Sequence, residues 1–219
     1  MLTVTNISFS YKKLLVLDNI SFQVNKGEHL SVIGQSGSGK STLVDIIIGL
    51  LTPISGEYYT DKNLFKAKGK SLNNIIGYVP QSIFFIDDTL ERNIAFGVED
   101  EYIDKDKLHQ SIVNSQLESF VYNLSEGLQS VIGERGVKMS GGERQRLGIA
   151  RALYFSPKIL VFDEATSALD NETETAVMET VNQLKGQITI ILIAHRLSTL
   201  KNCDKVYKII QGQANLIEI

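Results

Sequence analysis

The sequence has one cysteine, no tryptophan and three prolines in 219 residues. With Cys203 alone, no internal disulfide can form, and a reducing compartment suits the chain. The residue itself reads as a small side chain packed beside the final strands. Long apolar runs are missing as well. The two longest, LVDIIIGLL at 43–51 and ITIILIA at 188–194, fall well short of the ~20 residues that span a bilayer. No signal-peptide pattern opens the chain, so if the protein works at a membrane, another segment does the crossing. Positive charge is not in excess: 22 Lys and Arg against 25 Asp and Glu leave a net charge of −3, which excludes a broad basic surface for nucleic acid. The Lys66, Lys68, Lys70 cluster reads as a solvated loop or edge strand. Internal repeats and low-complexity segments are absent.

What is present is ordinary globular composition, 43% hydrophobic and 21% charged, arranged as short β-branched runs alternating with helical patterns. That alternation predicts a mostly parallel sheet with helices packed on it. Strands are expected at Leu2–Ser10, Ile20–Val24, Leu30–Ile33, Glu57–Thr60, Ile75–Val79, Ile159–Phe162, Ile188–Ala194, Lys205–Ile210 and Ala214–Ile219. The first and last of these lack crossover helices, which predicts an antiparallel portion from the chain ends. Between about Asp88 and Phe155 the pattern turns polar, helical and strand-poor. The expected layout is one α/β domain over 1–219, with a core of 1–87 and 156–219 and an inserted helical lobe over 88–155.

Three stretches carry chemistry. GQSGSGKST at 34–42 follows the apolar strand LSVI and precedes the helical TLVDIIIGL, the context in which GxxxxGK(S/T) cradles phosphate. Gly34, Gln35, Ser36, Gly37, Ser38, Gly39 and Thr42 would wrap oligophosphate with backbone N–H groups. Lys40 would reach its terminal groups, and Ser41 has the hydroxyl that holds Mg²⁺. ILVFDE at 159–164 reads as a buried strand ending in Asp163, placed to hold Mg²⁺ through water. Glu164 follows it, able to orient or deprotonate an attacking water. Alone, an acidic pair after a strand favours a helix cap; beside a phosphate loop it makes a hydrolysis site, and the core becomes a P-loop NTPase. Finally, KMSGGERQRLGIARAL at 138–153 opens a helix through Ser140, Gly141 and Gly142, whose free N–H groups and positive dipole end suit an anion.

At this point the chain resembles the ABC-transporter ATPase family over essentially its whole length. MSGGE at 139–143 is similar to that family's LSGGQ element, with Met139 for leucine and Glu143 for glutamine. GYVPQ ends at Gln81 where the Q-loop glutamine falls, SALD at 167–170 matches the D-loop and carries Asp170, and IAHR puts His195 at the switch position. ISFSY leads to Tyr11, where the family has its adenine-stacking aromatic. The resemblance implies ATP and Mg²⁺ as cofactors, and Glu164, His195 and Gln81 as catalytic residues. Gln81 joins Ser41 and Asp163 at the metal, and Ser140–Glu143 with Asp170 contact nucleotide. It further implies a head-to-tail pair of identical domains in which the anion at Ser140 is the γ-phosphate held by the neighbour.

VIGERG at 131–136 resembles the X-loop of exporter-type members, and LERNIAFG at 90–97 the segment after their Q-loop. STLVDIIIGLL and CDKVYKII are similar to stretches of bacterial lipid-linked oligosaccharide flippases. The resemblance thus implies an exporter or flippase domain, excised from a longer chain or else a separately encoded subunit, at the cytoplasmic face of the cell membrane. Its partners would be transmembrane helices, in the same polypeptide, and no nucleic acid. The alternative is a soluble ABC-type ATPase acting on nucleic acid or ribosomes. Such proteins carry coiled-coil insertions or two cassettes, and this chain has one cassette and no heptad run. Two details stay open: Phe84 and Phe85, in SIFFI, read equally as core packing or partner docking, while Arg144, Arg146 and Arg151 read as structural. TDKN at 60–63 departs from the family's Asp-Gly turn, away from the site.

Overall fold

A computed structural model describes residues 1–60, 63–65 (backbone), 75–133, 137–166, 169–194, 200 and 202–217. In chain order the first elements are strands β1 (Leu2–Tyr11), β2 (Leu14–Val24) and β3 (His29–Gly34), then helix α1 (Lys40–Ile47). Strands β4 (Ser55–Thr60), β5 (Asn63–Phe65) and β6 (Ile76–Val79) follow, then the two-residue β7 (Asp88–Thr89). Next come helices α2 (Leu90–Ile94), α3 (Lys105–Asn114) and α4 (Glu118–Asn123), strand β8 (Val131–Ile132) and helix α5 (Gly141–Tyr154). The chain closes with β9 (Ile159–Asp163), α6 (Asn171–Gln183), β10 (Thr189–Ile193), β11 (Lys205–Ile210) and β12 (Gln213–Ile217).

Two compact units result, one of Met1–Tyr78, Lys158–Glu164 and Lys185–Ile219, the other of Val79–Pro157 and Ala165–Leu184. The first is built on a sheet ordered β12-β11-β3-β10-β9-β6, in which β3, β9, β10 and β11 run parallel. All five residues of β10 are buried, as are the first four of β3 and β9, which is why these strands read as continuous apolar runs. Register matters for function: Ile193 pairs with Val32 of β3 on one side and with Asp163 of β9 on the other. The carboxyl ends of β9 and β10 therefore finish level, with β3 running two residues further to Gly34, at the edge where open α/β sheets bind ligands.

The antiparallel portion is divided. β12 pairs antiparallel with β11 at the edge of the main sheet, while β2-β1-β4-β5 forms a second, antiparallel sheet. β2 starts at Leu14, six residues before the expected Ile20, because the turn at Lys12, with φ of 55°, closes a hairpin without glycine. Leu43, Val44, Ile46 and Ile47 of α1 share one core with Leu2, Ile7, Leu17 and Ile20 of the hairpin and with Leu30, Val161 and Ile191 of the main sheet. Each such fully buried aliphatic side chain contributes roughly 1.5–3 kcal/mol of transfer free energy.

The second unit is mostly helical. Leu90, Ile94, Leu108, Ile112, Leu117, Leu147 and Tyr154 form its core, and side-chain caps start four of its helices: Thr89 for α2, Asp104 for α3, Ser140 for α5 and Asp170 for α6. It takes in 79–87 and 165–184 as well as the stretch 88–155. Among the described residues no helix is long and apolar enough to cross a membrane.

The first unit buries a histidine. His29 is 1% exposed, and neither ring nitrogen has a partner among the described residues. Its main-chain N–H donates to the Asp204 carboxylate at 2.8 Å and its carbonyl accepts from the Asp204 N–H at 2.7 Å, while Lys185 pairs with Asp204 at 2.8 Å. Burial first, then the Lys185 charge, push the imidazole down from 6.5 to about 4, against the pull of Asp204. The unfolded chain takes up the proton earlier, so this contribution to stability is complete above pH 6.5 and is lost as pH falls toward 4. Across that window it amounts to about 3 kcal/mol. His29→Leu should flatten the pH dependence of the urea-unfolding free energy there; a slope equal to that of the unsubstituted chain would refute the assignment.

Candidate active site

The loop from Gly34 to Gly39 joins β3 to α1. Gly37 and Gly39 have φ of 77° and 103°, a region that side-chain-bearing residues avoid. A Cβ on Gly39 would also stand 2.7 Å from Leu17 Cδ2 and 3.1 Å from the Val16 carbonyl. β2 thus runs against the loop, and its partner β1 ends in Tyr11, paired with Leu14. Tyr11 is half-exposed, with Phe9 edge-on to it at 4.9 Å and 81°. One ring is backed by another, and the outer one has surface to offer a base.

Inside the loop, Lys40 is buried at 4% exposure, and its Nζ donates to the carbonyls of Gly34 and Gln35, both at 3.1 Å. The same ammonium lies 3.9 Å from Glu164 Oε1. Ser41 and Gln35–Gly37 are exposed, whereas Ser38 Oγ is buried with no hydrogen-bond partner among the described residues. Glu164 has φ of 51°, uncommon for a residue with a side chain, and its N–H donates to the Ile193 carbonyl at 3.2 Å. The bend at the end of β9, tied to β10 by this bond, thereby delivers the carboxylate to Lys40.

Asp163 sits one residue earlier. Its Oδ2 accepts from the Tyr78 hydroxyl at 3.3 Å, while its Oδ1 is buried without a partner among the described residues. Burial raises its pKa above the ordinary carboxylate value, the Tyr78 hydrogen bond lowers it, the Glu164 and Asp45 charges raise it, and Lys40 lowers it. Tyr78 is pushed up to about 12, by burial and then by the Asp163 charge, so the phenol is the donor at neutral pH. A buried carboxylate oxygen without a donor, next to further acids, fits a divalent cation. Neither Tyr78 nor Asp45 stands out in the sequence.

The remaining expected residues lie in the second unit or outside the described residues. Ser140 caps α5 in a reciprocal box: its Oγ accepts from the Glu143 N–H at 3.3 Å, and its own N–H and O–H donate to Glu143 Oε2 at 2.7 and 2.8 Å. A Cβ on Gly141 would meet Leu169 Cδ2 at 2.9 Å, and one on Gly142 would meet Thr173 Cγ2 at 2.8 Å. The two glycines thus have a packing reason, close approach to the start of α6, in addition to the anion-facing one read from the sequence. Asp170 caps α6, accepting from the Thr173 N–H at 3.0 Å and its hydroxyl at 2.7 Å, and these bonds hold its pKa low. Gln81 is exposed just after β6. His195, Lys66, Lys68 and Lys70, residues 134–136 of VIGERG and 167–168 of SALD lie outside the described residues.

The phenylalanine pair divides. Phe84 is 73% exposed and Phe85 is buried, its ring under the guanidinium groups of Arg144 at 5.4 Å and Arg151 at 5.0 Å. Arg151 also donates to the carbonyls of Asn93 and Phe84, each at 2.8 Å, in keeping with its structural reading.

A phosphate loop, a strand ending in Asp-Glu and a Ser-Gly-Gly-led helix on this topology define an ABC-type ATPase domain. Residues 17–167 match the family described as ABC transporter, and the chain belongs to it. The ATP-dependent lipid A-core flippase of Haemophilus influenzae (strain 86-028NP) is 40% identical over 211 residues, 95% of this chain and 36% of that protein. The flippase of the same name from Francisella novicida is 40% identical over 205 residues, 93% and 34%. A solved structure, that of a bacterial Atm1-family ABC exporter with ATP bound, superposes with a TM-score of 0.83 at 34% identity, over 98% of this chain and 38% of that one. The chain therefore spans about a third of the length of the relatives it matches.

Proposed function

We propose that this domain binds and hydrolyses ATP with Mg²⁺, as half of a head-to-tail pair, and that hydrolysis drives export or flipping of an amphipathic lipid by transmembrane helices at the cytoplasmic face of the cell membrane. The observation that carries the reading is the meeting of Lys40 with Glu164, beside an Asp163 whose Oδ1 lacks a donor among the described residues. Lys40, held by two loop carbonyls, is aimed for terminal phosphates. Glu164 supplies a carboxylate where an in-line water needs a base. Ser41 and Asp163 would hold Mg²⁺, and the resemblance adds Gln81; the metal, when bound, neutralises phosphate charge. The resemblance assigns His195 to the same water, and Ser140–Glu143 with Asp170 to the neighbour's nucleotide. The names of the relatives, lipid A-core flippase and Atm1-family exporter, support the transport half of the reading. Nothing in them favours the soluble, nucleic-acid alternative.

Calorimetric titration of Mg-ATP into the chain tests the nucleotide half. Binding is expected, and Tyr11→Ala should weaken it by the ~1–3 kcal/mol of a lost base stack, with ATP, GTP and CTP still accepted because every base offers a π face. Absence of binding would reject the function, and an unchanged affinity in Tyr11→Ala would return Tyr11 to strand packing.

A further inference from the structure

The Tyr78 hydroxyl is the one donor described on Asp163, and it sits on Oδ2, with Oδ1 buried and unpartnered among the described residues. A carboxylate is twofold about its terminal torsion, so without a fixed donor either oxygen can turn toward a cation. A donor on one oxygen removes that freedom, and carboxylates that ligate metals are commonly held in this way by a neighbouring group. We propose that Tyr78 is the positioning residue of the metal site: its phenol pins Oδ2 of Asp163 and thereby commits Oδ1 to the divalent cation. This rests on the ATPase reading above.

Three elements meet to make the arrangement. Tyr78 comes from β6, Asp163 from the end of β9, and Asp45 from α1, close enough for its charge to act on both. Lys40 is the cation facing Asp163 when no metal is bound, and its ammonium is committed to the carbonyls of Gly34 and Gln35. The tyrosine ring packs against the hydrophobic core, so phenylalanine keeps the packing and removes only the donor.

The test is a titration of Mn²⁺ into the chain saturated with ADP, with free Mn²⁺ followed by electron paramagnetic resonance. Tyr78→Phe should lose ~10-fold in Mn²⁺ affinity, the lower end of what outer-sphere partners contribute, while ADP affinity in EDTA and the circular dichroism spectrum stay unchanged. An unchanged Mn²⁺ affinity would overturn the proposal, as would an equal loss of ADP affinity in EDTA, which marks a general structural role. In an Asp163→Asn background, Tyr78→Phe should cost nothing further, and an added tenfold loss there would also overturn it. If the unsubstituted chain takes up no Mn²⁺ with ADP, the ATPase reading itself fails and carries this one with it.

Discussion

Glu164→Gln should lower ATP hydrolysis by the ~10²–10⁴-fold expected for loss of a general base, while ATP binding survives. The amide keeps the shape and hydrogen-bonding reach of the side chain but cannot take a proton. The backbone that carries it, with φ of 51° and its N–H on the Ile193 carbonyl, is fixed by main-chain contacts that the substitution leaves in place. Lys40 loses the anion 3.9 Å away and keeps its two carbonyl partners, which leaves it able to meet phosphate. Because ATP stays bound, paired domains should accumulate. Light scattering with and without ATP, alongside phosphate release, reads both effects, and full hydrolysis by the variant would reject Glu164 as the base.

The larger effect concerns the pairing. One chain carries one phosphate loop and one Ser140, and the proposed site joins the loop of one copy to the Ser140 helix of another. Lys40→Ala, unable to hold its own ATP, and Ser140→Arg, with a bulky cation at the start of α5, should each be inactive. Mixed in equal amounts, random pairing makes about half of the dimers hybrid, and each hybrid contains one site with both halves intact. With independent sites, activity should recover to roughly a quarter of the unsubstituted level. A site completed within a single chain would recover nothing. Tag pull-down in the presence of ATP verifies that hybrids form, and confirmed hybrids that neither trap nor hydrolyse ATP would sink the shared-site reading.

The phosphate loop and the Asp163–Glu164 strand end were legible because each is a contiguous run whose flanking hydrophobic pattern says which strand it terminates. That the two belong to one site followed from their pairing, but the Val32–Ile193–Asp163 register that brings them together was not legible, since it joins segments far apart in the chain. Tyr78 was hidden for the same reason: its partner Asp163 is 85 residues away, and a tyrosine in a short strand looks like sheet packing. Adjacent loop phenylalanines carry no periodicity, so nothing local tells Phe84, exposed, from Phe85, packed under two arginines. The packing reason for Gly141 and Gly142 depends on Leu169 and Thr173, positions that no spacing rule connects to them.

The capping box at Ser140 changes how binding between copies should be counted. In the single chain the amide and hydroxyl of Ser140 are already bonded to Glu143 Oε2, so these two donors do not wait bare at the start of α5. On the proposed pairing, a phosphate there would take the Ser140 donors from Glu143, and that part of its gain would be the difference between the two bonds. Such an exchange would gain little on closing, and on reopening the Ser140 donors would have Glu143 to return to. If the domains pair as proposed and part once in every turnover, a latch whose donors return to Glu143 would favour fast release over tight grip.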